Sequence, residues 1–103
     1  MLSIRFGVAR EWWVPGAVFD RLFQSALDRG EMPHSLKHWH DVAEANGGFD
    51  VIRMKPEEAD QFTTALREAA AREIVSDPFR SPVLDMDTYR ASLKKLLNLL
   101  AAE

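Results

Sequence analysis

His34, His38 and Asp41 stand at positions i, i+4 and i+7 of the chain. In a helix all three share one face, and a histidine pair four apart is a geometry that holds a metal ion. The glutamate that follows the first histidine in the His-Glu-x-x-His zinc signature is missing, and His34 precedes the expected helix start, so its direction is not fixed. The plainer reading makes His38 and Asp41 part of a solvated face opposite Leu36, Trp39 and Ala43. His40 and Glu44 are also four apart, the spacing of a base oriented by a carboxylate. They lack a nucleophile: no Gly-x-Ser-x-Gly turn occurs, there is no cysteine, and the serines fall where caps and turns need them. Glu57, Glu58 and Asp60 would be catalytic carboxylates only if their place at a helix start did not already explain them. Gly47-Gly48 precedes a strand, whereas phosphate-binding loops follow one and open a helix. No catalytic residue and no cofactor are assigned on this reading.

Composition narrows the partners. Thirteen basic and sixteen acidic residues leave a formal charge of −3, and the only adjacent basic pair is Lys94-Lys95. A duplex-binding surface needs clustered cations, so nucleic acid is not an expected partner. With no cysteine there are no disulfides and no thiolate zinc sites. The first residues lack a hydrophobic signal core and no apolar run is long enough to span a bilayer, so no membrane association and a cytoplasmic location are expected. A chain of 103 residues, nearly half of them apolar, has the size of a single globular domain over residues 1–103.

The elements that would position these side chains begin with residues 49–71, a β-rich hexamer, a turn and an amphipathic helix. Pro56 opens that helix, where its missing N–H costs nothing, and Glu57, Glu58 and Asp60 complement the positive end of the helix dipole. Ile4, Phe6 and Val8 alternate with polar or small residues, the pattern of a first strand. Residues 10–14 lead into a first helix over 15–29 that ends at Gly30. Ser35 is placed to cap a second helix that Asn46-Gly47-Gly48 stops. Residues 49–54 read as the second strand, with an ambiguous facial pattern. Residues 76–82 form a proline-punctuated loop, and Asp85 and Asp87 flank the start of a last helix. The fold expected is α+β, about four helices around a short two-stranded sheet, in the order strand-helix-helix-strand-helix-helix. The two strands pair with each other in a direction the sequence leaves open.

Two features concern partners. Trp12 and Trp13 are adjacent, so in an extended segment they point to opposite sides and only one readily enters the core. The other ring either folds back on Val18 at the helix start or stands exposed for binding. In the last helix Leu97 and Leu99 widen the stripe of Leu93, Leu96 and Leu100 beyond what one packing surface uses, which points to a homodimer contact. Trp12, Trp13, Leu97 and Leu99 are therefore the interface candidates. The leading expectation is a small non-enzymatic protein-interaction domain, regulatory or inhibitor-like. The alternative is a small-molecule or metal-binding protein, possibly an enzyme, that uses the His34, His38 and Asp41 face.

Overall fold

Val51 and Met54 are buried while Ile52 and Arg53 between them are exposed, and this three-residue spacing reshapes the centre of the chain. A strand puts alternate residues inward; a 3-10 turn puts every third one inward. In the computed structural model, which describes residues 1–7, 9–75 and 86–101, the strand β3 covers only Gly48–Asp50 and a 3-10 turn follows over Val51–Arg53. The Asp50 carboxylate accepts the Ile52 N–H at 3.1 Å and so starts the turn. The expected strand over 49–54 was too long for this reason.

The sheet has three strands rather than two. β1, Leu2–Gly7, lies in the middle, and β2, Arg10–Val14, pairs with it antiparallel as a hairpin. β3 pairs with the other edge of β1 in parallel, which settles the direction left open above. Residues 10–14 are therefore a strand in their own right, which adds a strand directly after the first in the expected order. Their short alternation, Trp12 and Val14 inward and Glu11 and Trp13 outward, carries the signal, while the connection at Gly7 and Ala9 lacks the Asn-Gly or Asp-Gly pair that announces a two-residue hairpin.

Four α-helices pack with this sheet: α1, Gly16–Asp28; α2, His38–Asn46; α3, Pro56–Val75; and α4, Met86–Ala101. Pro56 is the first residue of α3, with Glu57 and Glu58 in its first turn. The Glu58 carboxylate also accepts the Lys55 N–H at 3.3 Å, the return bond of a capped helix start. Pro15 precedes α1, and its carbonyl accepts the first N–H groups of the helix. Ser35 caps nothing: His34–Leu36 form a separate 3-10 turn, and α2 begins only at His38. Gly47 ends α2 in the left-handed conformation at φ 70°.

Gly48 then makes the parallel pairing possible. A Cβ there would lie 1.9 Å from the Ser3 carbonyl oxygen, and its φ of 125° is one that side-chain-bearing residues rarely adopt. β1 and β3 thus approach at a point only glycine fits.

The core lies between the inner face of the sheet and the helices. Ile4, Val14, Val18, Phe19, Leu22, Phe62, Leu66, Leu93 and Leu96 are fully enclosed, and Phe6 and Trp39 are partly buried against them. α4 packs on both α3 and β2, so it covers two surfaces at once. This accounts for its wide apolar fan: Leu97 and Leu99 are half-buried against the domain's own core. No helix among the described residues is long and apolar enough to cross a membrane. Val8, the loop over 76–82 and Asp85 lie outside the described residues.

Candidate functional site

Strand alternation places Leu2, Ile4, Trp12, Val14 and Phe49 toward the helices and Ser3, Arg5, Glu11, Trp13 and Asp50 on the other face. Register sets Glu11 opposite Arg5 and Arg5 opposite Asp50, so a negative-positive-negative row crosses the sheet from β2 through β1 to β3. Arg5 Nη2 is 3.6 Å from Glu11 Oε2. The Ser3 hydroxyl donates to the same carboxylate at 2.5 Å, and the Trp13 indole N–H donates to its other oxygen at 3.1 Å. The Ser3 hydrogen bond, with the charge of Arg5 and the Trp13 N–H behind it, holds the Glu11 carboxyl below its ordinary pKa.

Beside this row opens a cleft of about 770 Å³. Phe6, Gly7 and Ala9 of the hairpin line one part, Val51, Ile52 and Met54 of the 3-10 turn another, and Pro56 and Ala59 of α3 the rest, with Arg5, Glu11 and Asp50 along the edge. Three local events build it. The hairpin closes beside Ala9, a non-glycine residue held at φ 61°. The Asp50 turn diverts the chain out of the sheet after three strand residues, and Pro56 starts α3 on the far side. Backbone held in the left-handed region by a side-chain-bearing residue costs roughly 1–2 kcal/mol, and such positions gather at functional sites.

The cleft lining is mainly apolar, and its charged residues are engaged by the chain itself. Arg5 faces Glu11, Glu11 takes Ser3 and Trp13, and Asp50 takes the Ile52 N–H. Ile52, in its lining, is 83% exposed, and Trp13, whose indole N–H donates to the lining residue Glu11, is 57% exposed.

The tryptophans separate as adjacent strand residues must. Trp12 is buried, edge-on to Phe19 with ring centroids 6.5 Å apart, and its indole N–H donates to the Ser92 carbonyl of α4 at 3.0 Å. It is therefore not available as an interface residue. Trp13 stands on the open face instead of folding back on Val18, which lies in the core on the other side.

His34, His38 and Asp41 do not assemble as expected. His34 belongs to the 3-10 turn before α2, so the helical i, i+4 relation to His38 is broken, and His38 Nδ1 lies 3.2 Å from the Ser35 carbonyl. Asp41 faces His40 rather than His38, with 3.7 Å between Oδ1 and Nδ1. His40 is the histidine with partners on two helices. Its Nε2 is 2.6 Å from Asp20 Oδ1 on α1 and 3.4 Å from Glu44 Oε1 on α2. The His40–Glu44 pairing was legible from spacing; Asp20, twenty residues away, was not.

A second polar group joins α1, α3 and α4. Arg72 clamps Glu31 through Nε at 3.2 Å and Nη2 at 2.7 Å, donates to the Ser25 hydroxyl, and meets Glu73 at 2.9 Å. The Tyr89 hydroxyl donates to Glu73 at 2.7 Å, and the Arg21 guanidinium lies 5.2 Å from the centre of its ring. Burial first, then the bond to Glu73, raises the Tyr89 phenol above its ordinary pKa of 10.0. The bonds to Glu31 raise Arg72. This seam fastens helices through ion pairs and hydrogen bonds, unlike the apolar cleft.

Compared with known proteins, the chain matches no family model, no curated protein and no solved structure.

Proposed function

We propose that the chain is a small non-enzymatic protein-interaction domain whose binding surface is the cleft beside Ile52 together with the open sheet face that carries Trp13. The observation that supports it is the apolar cleft with the exposed Ile52 in its lining, and the exposed Trp13 bonded to the lining residue Glu11. Scattered exposed apolar residues need no explanation, but an exposed aliphatic residue in an apolar concavity edged by charged residues has the form of an interface centre with a polar rim. The edge charges take up one another and the backbone, so what the cleft offers a ligand is mainly apolar area. An apolar side chain of a protein partner suits that lining, with the Glu11, Arg5 and Asp50 row orienting the partner around it. A regulator or inhibitor that works by occupying a partner's surface needs no more chemistry than this.

The test is a paired capture from native extract with the wild-type chain, a Trp13→Ser/Ile52→Lys double variant and a Gln24→Ala control on α1. A partner retained by the wild type and the control but lost by the double variant supports the reading. Equal capture by all three contradicts it.

Self-association is the second reading, favoured by the exposure of the large apolar side chains Trp13 and Ile52. Leu97 and Leu99 contribute less to it than their spacing implies, because the core takes part of their area. Light scattering coupled to size exclusion reads it directly. A dimer mass that falls to a monomer in the double variant supports self-association, and a monomer mass at high micromolar concentration ends it.

A further inference from the structure

Away from the cleft, α1 and α2 bring one imidazole and two carboxylates together, and we propose that Asp20, His40 and Glu44 bind a first-row divalent metal ion. Their ligand atoms lie within 4.8 Å of one another, with His40 Nε2 at the centre, 2.6 Å from Asp20 Oδ1 and 3.4 Å from Glu44 Oε1. Ligand atoms about 2.0–2.1 Å from a tetrahedral zinc ion stand roughly 3.3 Å apart, so Glu44 already has the required separation and Asp20 needs to withdraw by less than an ångström. The side chains of Asp20 and Glu44 are more than half exposed, which leaves them free to adjust and leaves a path for the ion and its water ligands.

The imidazole, in contrast, is fixed. Its ring lies parallel to Phe19, with 8° between planes and 5.9 Å between centroids, and tilts against Phe23 at 5.5 Å. Only 19% of its side chain is exposed. On the far side of the ring, Asp41 Oδ1 stands 3.7 Å from Nδ1. That separation is beyond hydrogen-bond length, so the ring is held by its aromatic packing; at 2.6 Å the Nε2–H donates to the Asp20 carboxylate, and a bound ion takes the place of that proton between them.

The donor set narrows the ion. Calcium and magnesium take oxygen ligands, and the central imidazole favours a transition ion of the zinc, cobalt or nickel kind over either. Three protein ligands leave at least one position for water. The site shares no residue with the cleft, so it stands or falls independently of the interaction surface.

The experiment titrates tag-free protein with Zn²⁺ and with Mg²⁺ by calorimetry, and follows the histidine ring resonances by NMR. We expect one Zn²⁺ per chain with a Kd of about 10 μM or tighter, selective shifts of the His40 ring, and no comparable response to Mg²⁺. Asp20→Asn and Glu44→Gln change exposed side chains and keep their shape, so the fold survives them; each weakens binding at least about tenfold, and His40→Ala abolishes it. A His34→Ala/His38→Ala double variant binds as the wild type does. The proposal is overturned if Zn²⁺ does not saturate at micromolar concentration, the outcome in which the trio is only an ion pair between two helices. It is equally overturned if Asp20→Asn and Glu44→Gln bind unchanged, or if the His34→Ala/His38→Ala variant loses the metal.

Discussion

Phe62 shows what one side chain contributes here. Its ring is fully enclosed, and its centroid lies 6.5 Å from that of Phe6, 6.4 Å from Phe23 and 5.5 Å from Phe49, so it joins α3 to β1, β3 and α1. Phe62→Ala should cost about 3–5 kcal/mol in a denaturant melt, the usual range for a buried phenylalanine; a loss under about 1 kcal/mol would mean the site collapses around the gap. Helical spacing made Phe62 legible as a core residue, because a single face of α3 had to be apolar. Tyr89 was legible only as apolar. Its hydroxyl partner, Glu73, lies on another helix, and nothing in local spacing announces a hydrogen bond between helices. The chain has one tyrosine, so its titration can be read without ambiguity from tyrosinate absorbance. Because its folded pKa is raised above the unfolded value, its contribution to stability is fully present below about pH 10 and is lost as pH rises beyond it. Tyrosinate should therefore appear well above pH 10 and together with unfolding. Free titration near pH 10 with the fold intact would remove the buried hydroxyl from the account.

Elements were readable where one rule sufficed and misread where two competed. The start of α3 follows from Pro56 and the acidic first turn, and it appears where those residues place it. β2 was missed because five residues between a hairpin without a turn signature and Pro15 look like a connector. β3 was drawn too long because Val51 and Met54 satisfy a 3-10 period that a strand pattern cannot express. Parallel pairing of β1 with β3 was not decidable from patterning, since it rests on the close approach at Gly48. That contact gives a sharp expectation: Gly48→Ala must relieve a Cβ at 1.9 Å from the Ser3 oxygen and a disfavoured φ, and should destabilise by about 3 kcal/mol or more. Gly16→Ala, where a Cβ meets nothing within 4 Å, should be neutral or stabilise by up to about 1 kcal/mol. Chemical denaturation of the two variants side by side checks both. Equal effects would show that the parallel ladder does not depend on glycine.

At the scale of the whole molecule, the described helices pack on one face of the sheet, and Arg5 and Trp13 on the other are exposed. α4 spends its leucines on both α3 and β2, so the surplus apolar area that its sequence implied is smaller than a helical wheel suggests. The cleft, with the exposed Ile52 in its lining, and the exposed Trp13 are not explained by folding. Trp13 was named an interface candidate from sequence, through its adjacency to a second tryptophan, whereas none of the residues lining the cleft was. Ile52 looked like a strand residue, and the cleft exists only because a hairpin, a 3-10 turn and a helix start converge from separate parts of the chain. The most direct measurement places a photo-reactive phenylalanine derivative at position 52, and in a second protein at position 24 on the exposed side of α1, and irradiates each in native extract. If the cleft receives a protein partner, position 52 gives a discrete adduct of protein mass that the unlabelled wild-type chain competes away, and position 24 gives none. Absence of any adduct at position 52, or the same adducts from both positions, would contradict the account.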